Sequence, residues 1–352
     1  MKKFIPQRLR TARKMRGLSM EALSHKMNNL VSKQAISKYE TGKMLPSESV
    51  LSVLVTTLNL PYTYFTTSPL HIGSINFRID KNMPVQSTEQ MISVVSDKME
   101  RYLKVENILA LQTTFKNPIK NVEINKYENI EEAACMLRKK WELGAMSIFS
   151  VYEMLESYGI KIIEFDCGVK HVIGFSTIVN KKIPLIVINT AANFTTERKR
   201  FTALHELGHI LLNFTSDIEE GIQERMCNYF AGALLCPKQV LIRELGIFRE
   251  HITLEELTSV KTRYGISIAA IVHRAKDLGI ISDTYYNDIF DNHIHKNIME
   301  EGWGEYPIKE QTDHYERLLQ RVVAEKYVTQ DELLGMLDDK SEKMIKEMTI
   351  LD

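Results

Sequence analysis

Arg198-Lys199-Arg200-Phe201-Thr202-Ala203-Leu204-His205-Glu206-Leu207-Gly208-His209-Ile210-Leu211-Leu212 decides what the second half of this chain can be. The apolar spacing is that of a helix, and on a helix residues i and i+4 lie on one face, about 6 Å apart along the axis. His205 and His209 can therefore aim two imidazole nitrogens at one ion, and imidazole suits Zn²⁺. Glu206, one residue on, can reach a water beside that ion without ligating it; zinc acidifies such a water and the carboxylate can take its proton. The alternative is that these three residues fall together by chance on a buried helix.

A catalytic zinc needs a third protein ligand and one open position. Downstream, Glu224-Arg225-Met226-Cys227-Asn228-Tyr229-Phe230-Ala231 reads as a second helix, with Glu224, Cys227, Asn228 and Ala231 on one face. The gap after His209 leaves room for a turn and a returning antiparallel helix. Asp217, Glu219 and Glu220 compete as carboxylates but fall in the loop. Cys227 competes one turn from Glu224. Glu224 is preferred, because a thiolate would make the site more electron-rich and more structural in character. A His/His/Glu set accepts Mn²⁺ or Co²⁺ as well as Zn²⁺.

From about Ile130 to Asp288 the chain resembles the ImmA/IrrE-type zinc metallopeptidases. The resemblance rests on Arg200 to His209, on Glu224-x-x-Cys227-Asn228-Tyr229-Phe230-Ala231 and on Leu234-Leu235-Cys236-Pro237. Arg138-Lys139-Lys140-Trp141-Glu142-Leu143-Gly144 and Ile266 to Arg274 extend it. It implies zinc held by His205, His209 and Glu224, Glu206 as the catalytic carboxylate, and a transcriptional repressor protein as the substrate. Cys227 stands where that family usually has alanine and Cys236 where it has methionine; both read as packing positions.

The head of the chain differs in charge. Met1 to Pro46 holds eleven basic and two acidic residues, a balance of +9, and since the chain is neutral overall the remainder carries −9. A basic head on an acidic body fits nucleic-acid binding. Helices are expected over Gln7–Arg16, after a Ser19 cap, after a Ser32 cap up to Tyr39, after Pro46-Ser47 and after Pro61. Val31-Ser32-Lys33-Gln34-Ala35-Ile36-Ser37-Lys38-Tyr39-Glu40-Thr41-Gly42 resembles a phage-repressor-like helix-turn-helix of the XRE type, covering residues 4–67. Lys33, Gln34, Ser37, Lys38 and Lys43 then face duplex DNA. Arg8, Arg10, Arg13, Arg16 and Lys26 join Lys43 on the phosphates. The turn Asn28-Asn29-Leu30-Val31 is longer than the usual glycine-centred one. Heads of this type work in pairs, which admits a homodimer. The alternative for the head is a module that now binds protein.

The expected fold is mainly α, with an α+β zincin-like domain: a five-helix head, a helical connector, a small mixed sheet on the H-E-x-x-H helix and a helical C-terminal region. Boundaries are expected at 1–68, 69–127, 128–290 and 291–352. Ile75–Ile79, Ile160–Phe165, Ile173–Val179 and Leu185–Asn189 read as strands, and Gln90–Leu111 as a long helix. The apolar fraction of 44% is ordinary, and no run is long enough to span a membrane. Met1 to Pro6 lacks the apolar stretch of a secretory signal, and the four cysteines form no C-x-x-C pair. A cytoplasmic protein with reduced thiols is expected. His273 reads as a core or supporting histidine, and Tyr229 and Tyr264 as candidate oxyanion donors. Three functional readings follow: a DNA-tethered zinc endopeptidase, a transcriptional regulator whose zinc domain is a sensor or a structural module, and an enzyme that cuts its own linker near Pro69–Val85.

Overall fold

The computed structural model describes residues 2–69, 85–111, 114–166, 173–190, 194–329, 332–333, 336–337 and 339–350. The expected strand Ile75–Ile79, most of the Pro69–Val85 linker and Cys167 lie outside them.

Five helices build the head: α1 (Ile5–Met15), α2 (Met20–Lys26), α3 (Lys33–Glu40), α4 (Glu48–Leu58) and α5 (Tyr62–Thr66). The hydroxyls of Ser19, Ser32 and Ser47 accept from the backbone N–H three residues on, which caps α2, α3 and α4. Ile5, Leu9, Leu23, Ile36, Leu51, Leu54, Leu58 and Phe65 fill the core. Between α2 and α3, Asn28 and Asn29 adopt φ of 51° and 56°, a left-handed conformation that asparagine tolerates better than most residues. The turn closes without glycine: Asn29 N–H donates to Ser24 O and Ser24 Oγ to Val31 O.

The long helix α6 (Val85–Ile108) starts five residues before the expected Gln90 and joins three bodies. Against the head, Arg8 pairs with Glu100 at 2.5 Å and Lys14 with Glu89. Along its middle, Met91, Val95 and Met99 pack on the sheet. At its far end, Tyr102 and Val105 meet Leu318, Leu319 and Val322 near the C-terminus.

Beyond α6 come the two-residue strand β1 (Glu123–Ile124), α7 (Tyr127–Lys140) and α8 (Val151–Ser157). The strands β2 (Lys161–Phe165), β3 (Gly174–Val179) and β4 (Ile183–Asn189) follow. The sheet order is β2-β4-β3, with β2 parallel and β3 antiparallel to β4. Side chains alternate across β4 with the period of two that a strand imposes. Leu185 and Val187 face α6, whereas Ile186 and Ile188 join the large core under α9 (Thr196–Leu211). Then come β5 (Asn213–Phe214), paired with β1, and α10 (Glu220–Leu235), α11 (Lys238–Leu245), α12 (Leu254–Tyr264), α13 (Ile268–Asp277), α14 (Asp283–Ile289) and α15 (His314–Ala324). A last helix spans Asp339–Glu347. No described helix is long and apolar enough to cross a membrane.

The stretch between α14 and α15 is keyed into the large core. Glu300 accepts from Lys261 and from the N–H groups of Ile268 and Ala269. Glu310, fully buried, takes Arg200 at 2.5 Å together with Ser150, Val151 N–H and Tyr152 N–H.

Candidate metal centre and nucleic-acid face

Thr195 caps α9 by accepting from Arg198 N–H, and Arg200 anchors its first turns to the carbonyls of Ile148, Phe149 and Gly265. The helix therefore enters the core in a fixed rotation, with Ala203, Leu204, Leu207 and Leu211 inward. His205 and His209 fall on its other edge, their Nε2 atoms 3.0 Å apart.

Helix α10 packs along α9 and brings Glu224 to the same point. Its Oε2 lies 3.3 Å from His205 Nε2 and its Oε1 3.5 Å from His209 Nε2. These three residues form one group able to hold a metal ion among the described residues. The spacing fits zinc. Bonds of about 2.0–2.1 Å in tetrahedral array place ligand atoms ~3.3 Å apart, and the three distances straddle that value. All three side chains are partly open to solvent, with Glu224 the most exposed at 33%.

The far nitrogens of both rings are engaged as well. His205 Nδ1 donates to Asn228 Oδ1 at 2.8 Å, and His209 Nδ1 meets Cys227 Sγ at 3.0 Å. Cys227 thus lies on the side of the His209 ring away from Glu224, which excludes it as a rival ligand in this arrangement. It is also more than the packing residue expected from the sequence. Cys236 does behave as packing: burial pushes its thiol up to about 12.

Glu206 is 7% exposed, and Ser176 Oγ on the edge strand β3 donates to its Oε2 at 2.8 Å. Nothing in the sequence singles out Ser176, since its meeting with Glu206 depends on how β3 sits against α9. The other candidates are placed elsewhere. Asp217 bonds Thr215 in the loop before α10. His273 is exposed and pairs with Tyr286, which corrects its reading as a core or supporting histidine. Tyr264 shares its hydroxyl with Glu244 and Arg243. The Tyr229 ring meets Tyr127 at a tilt of 57° and lies under the Arg274 guanidinium. Both tyrosines are therefore committed away from the cluster.

On the head, Lys33, Gln34, Lys38 and Lys43 are exposed and Ser37 is half-buried, all on or just after α3. Two of the arginines expected on phosphates, Arg8 and Arg13, point inward. Arg8 is buried against Thr67 O, Ser68 O and Glu100. Arg13 forms a two-pronged pair with Glu40 at 2.6 and 2.7 Å, tying α1 to α3. Arg16 stays exposed while bonding Leu58 O and Asn59 O. The guanidinium carries five donors and suits buried pairs and chain ends better than an ammonium does. Lysines Lys26, Lys33, Lys38 and Lys43 remain exposed.

Comparison with known families agrees with both halves. Residues 9–65 match the family described as Helix-turn-helix, and residues 155–276 match the peptidase family described as IrrE N-terminal-like domain. No curated protein matches the chain.

Proposed function

We propose that this chain, which joins an XRE-type helix-turn-helix domain to an IrrE-like metallopeptidase domain, is a DNA-binding zinc endopeptidase that cuts a transcriptional repressor and so releases gene expression. The observation that carries the reading is the buried carboxylate of Glu206, held by Ser176 beside His205, His209 and Glu224. A structural metal site has no need of that carboxylate.

The residues divide the work. His205, His209 and Glu224 would hold the ion. When bound, zinc supplies Lewis acidity, polarising a carbonyl and acidifying water. Glu206 takes a proton from the attacking water and returns it to the amide nitrogen as the C–N bond breaks. One water is consumed, and a carboxylic acid and an amine are formed. Ser176 holds the carboxylate in place through its Oε2. Co-expression with candidate repressors, scored for fragments, tests the reading. Intact repressors throughout, with zinc bound, would favour the sensor reading.

The DNA part carries its own prediction. Gln34, exposed on α3, is the side chain assigned here to a base edge, so Gln34→Ala in the full chain is expected to cost about 1–3 kcal/mol on the preferred duplex and far less on random DNA. Lys43→Ala should weaken both about equally, and binding should fall steeply with salt as counterions are released. Anisotropy titrations at two salt concentrations measure all three. Equal losses on both duplexes for Gln34→Ala would remove it from base readout.

A further inference from the structure

The structure assigns Cys227 and Asn228 to the outer shell of the proposed metal centre, as positioning residues that act through His209 and His205. The inference rests on the metal-centre reading above and extends it to residues that touch neither substrate nor metal.

An imidazole offers a lone pair at Nε2 only when its proton sits on Nδ1. Asn228 Oδ1 can only accept, so its 2.8 Å contact with His205 Nδ1 places the proton there and turns the Nε2 lone pair toward Glu224. Cys227 Sγ, 3.0 Å from His209 Nδ1, steadies the orientation of the second ring; a thiol can donate as well as accept, so the contact holds the ring without by itself setting its tautomer. Glu224, Cys227 and Asn228 stand at i, i+3 and i+4 of α10, one face within about one turn. A single helix thus carries one ligand and the partners of the other two. Partners of this kind fix ring tautomer and orientation, and losing one typically costs 10–100-fold in metal affinity.

Gly208 makes the contact reachable. A Cβ there would stand 3.1 Å from Cys227 Sγ and 3.2 Å from its Cβ. A side chain between the two histidines would force Cys227 to give way by a few tenths of an ångström, enough to disturb its contact with His209. The two partners differ in strength. An amide oxygen is a good acceptor and a thiol sulfur a weak one, so Asn228 contributes more.

The test is zinc affinity, measured on the metal-free full chain by competition with a chromophoric chelator. Asn228→Ala should weaken zinc by about 10–100-fold and Cys227→Ala by less, toward the lower end of that range. Asn228→Asp, which keeps an oxygen acceptor, should restore binding to within a few-fold of wild type. The visible spectrum of the Co²⁺-loaded chain should shift in both alanine variants, since the ligand field senses ring orientation. Thermal melting of the apo chains separates lost affinity from lost fold. Should Cys227→Ala unfold, Asn228 carries the test alone, because it is exposed and its truncation removes no core volume. Folded alanine variants that bind zinc within twofold of wild type would overturn the inference. A wild-type chain that takes up no zinc would overturn the metal-centre reading itself, and this inference with it.

Discussion

Glu206→Gln is expected to keep its zinc and to lose repressor cleavage by about 10²–10⁴-fold, the range that removal of a general base costs. The amide matches the carboxylate in shape, and its oxygen can still accept from Ser176 Oγ, which now bonds Oε2 at 2.8 Å. What disappears is the capacity to take a proton. His205, His209 and Glu224 are untouched, so metal content, read by elemental analysis, should stay at the wild-type level. Cleavage at the wild-type rate would take Glu206 out of the chemistry.

Arg200→Met should be the most damaging change to stability, by about 3–5 kcal/mol, the cost of breaking a buried ion pair by removing one partner. Arg200 is fully buried, and its guanidinium is divided among Glu310, the carbonyls of Ile148, Phe149 and Gly265, and the ring of Tyr306. Methionine has the length to fill the space but leaves the Glu310 carboxylate buried without its countercharge. Because Arg200 stands five residues before His205, the damage should reach the metal centre. Chemical denaturation followed by tryptophan fluorescence reports it well, since both tryptophans of the chain, Trp141 and Trp303, pack on this core. A loss below about 1 kcal/mol would mean that the pair contributes little beyond its own desolvation.

Local signals were legible wherever a short stretch carries its own chemistry. The i, i+4 histidines, the Ser19 and Ser32 caps of α2 and α3 and the short apolar run of β4 are such signals, and each can be read from a few neighbouring residues. Glu224 was legible as a candidate because helical spacing puts it on one face with Cys227 and Asn228. What those neighbours do was not, because that depends on how closely α10 approaches α9 at Gly208. Ser176 was hidden for the same reason: a serine in a strand has many possible fates, and only the seating of β3 on α9 brings it to Glu206. Charge counting misled at the head. It gave every arginine of α1 to phosphates, whereas Arg8 and Arg13 are used inside, against Glu100 and Glu40. A composition cannot distinguish a cation that faces solvent from one that ties two helices together.

The part played by residues 300–312 was likewise out of sight. Glu300, Tyr306 and Glu310 look like ordinary polar residues of a tail. Yet each meets a buried partner far back in the chain, at Lys261, Glu197 and Arg200. The peptidase-like fold is therefore completed by residues that lie beyond its matched region of 155–276.

A zinc titration of the metal-stripped chain, with cleavage of a repressor partner followed at each addition, tests the proposed zinc-dependent peptidase most directly. Cleavage should be absent without metal, rise in proportion to bound zinc and level off at one equivalent per chain, with His205→Ala inactive throughout. Cleavage that persists in the stripped chain, or a zinc-saturated chain that cuts no repressor, would contradict it.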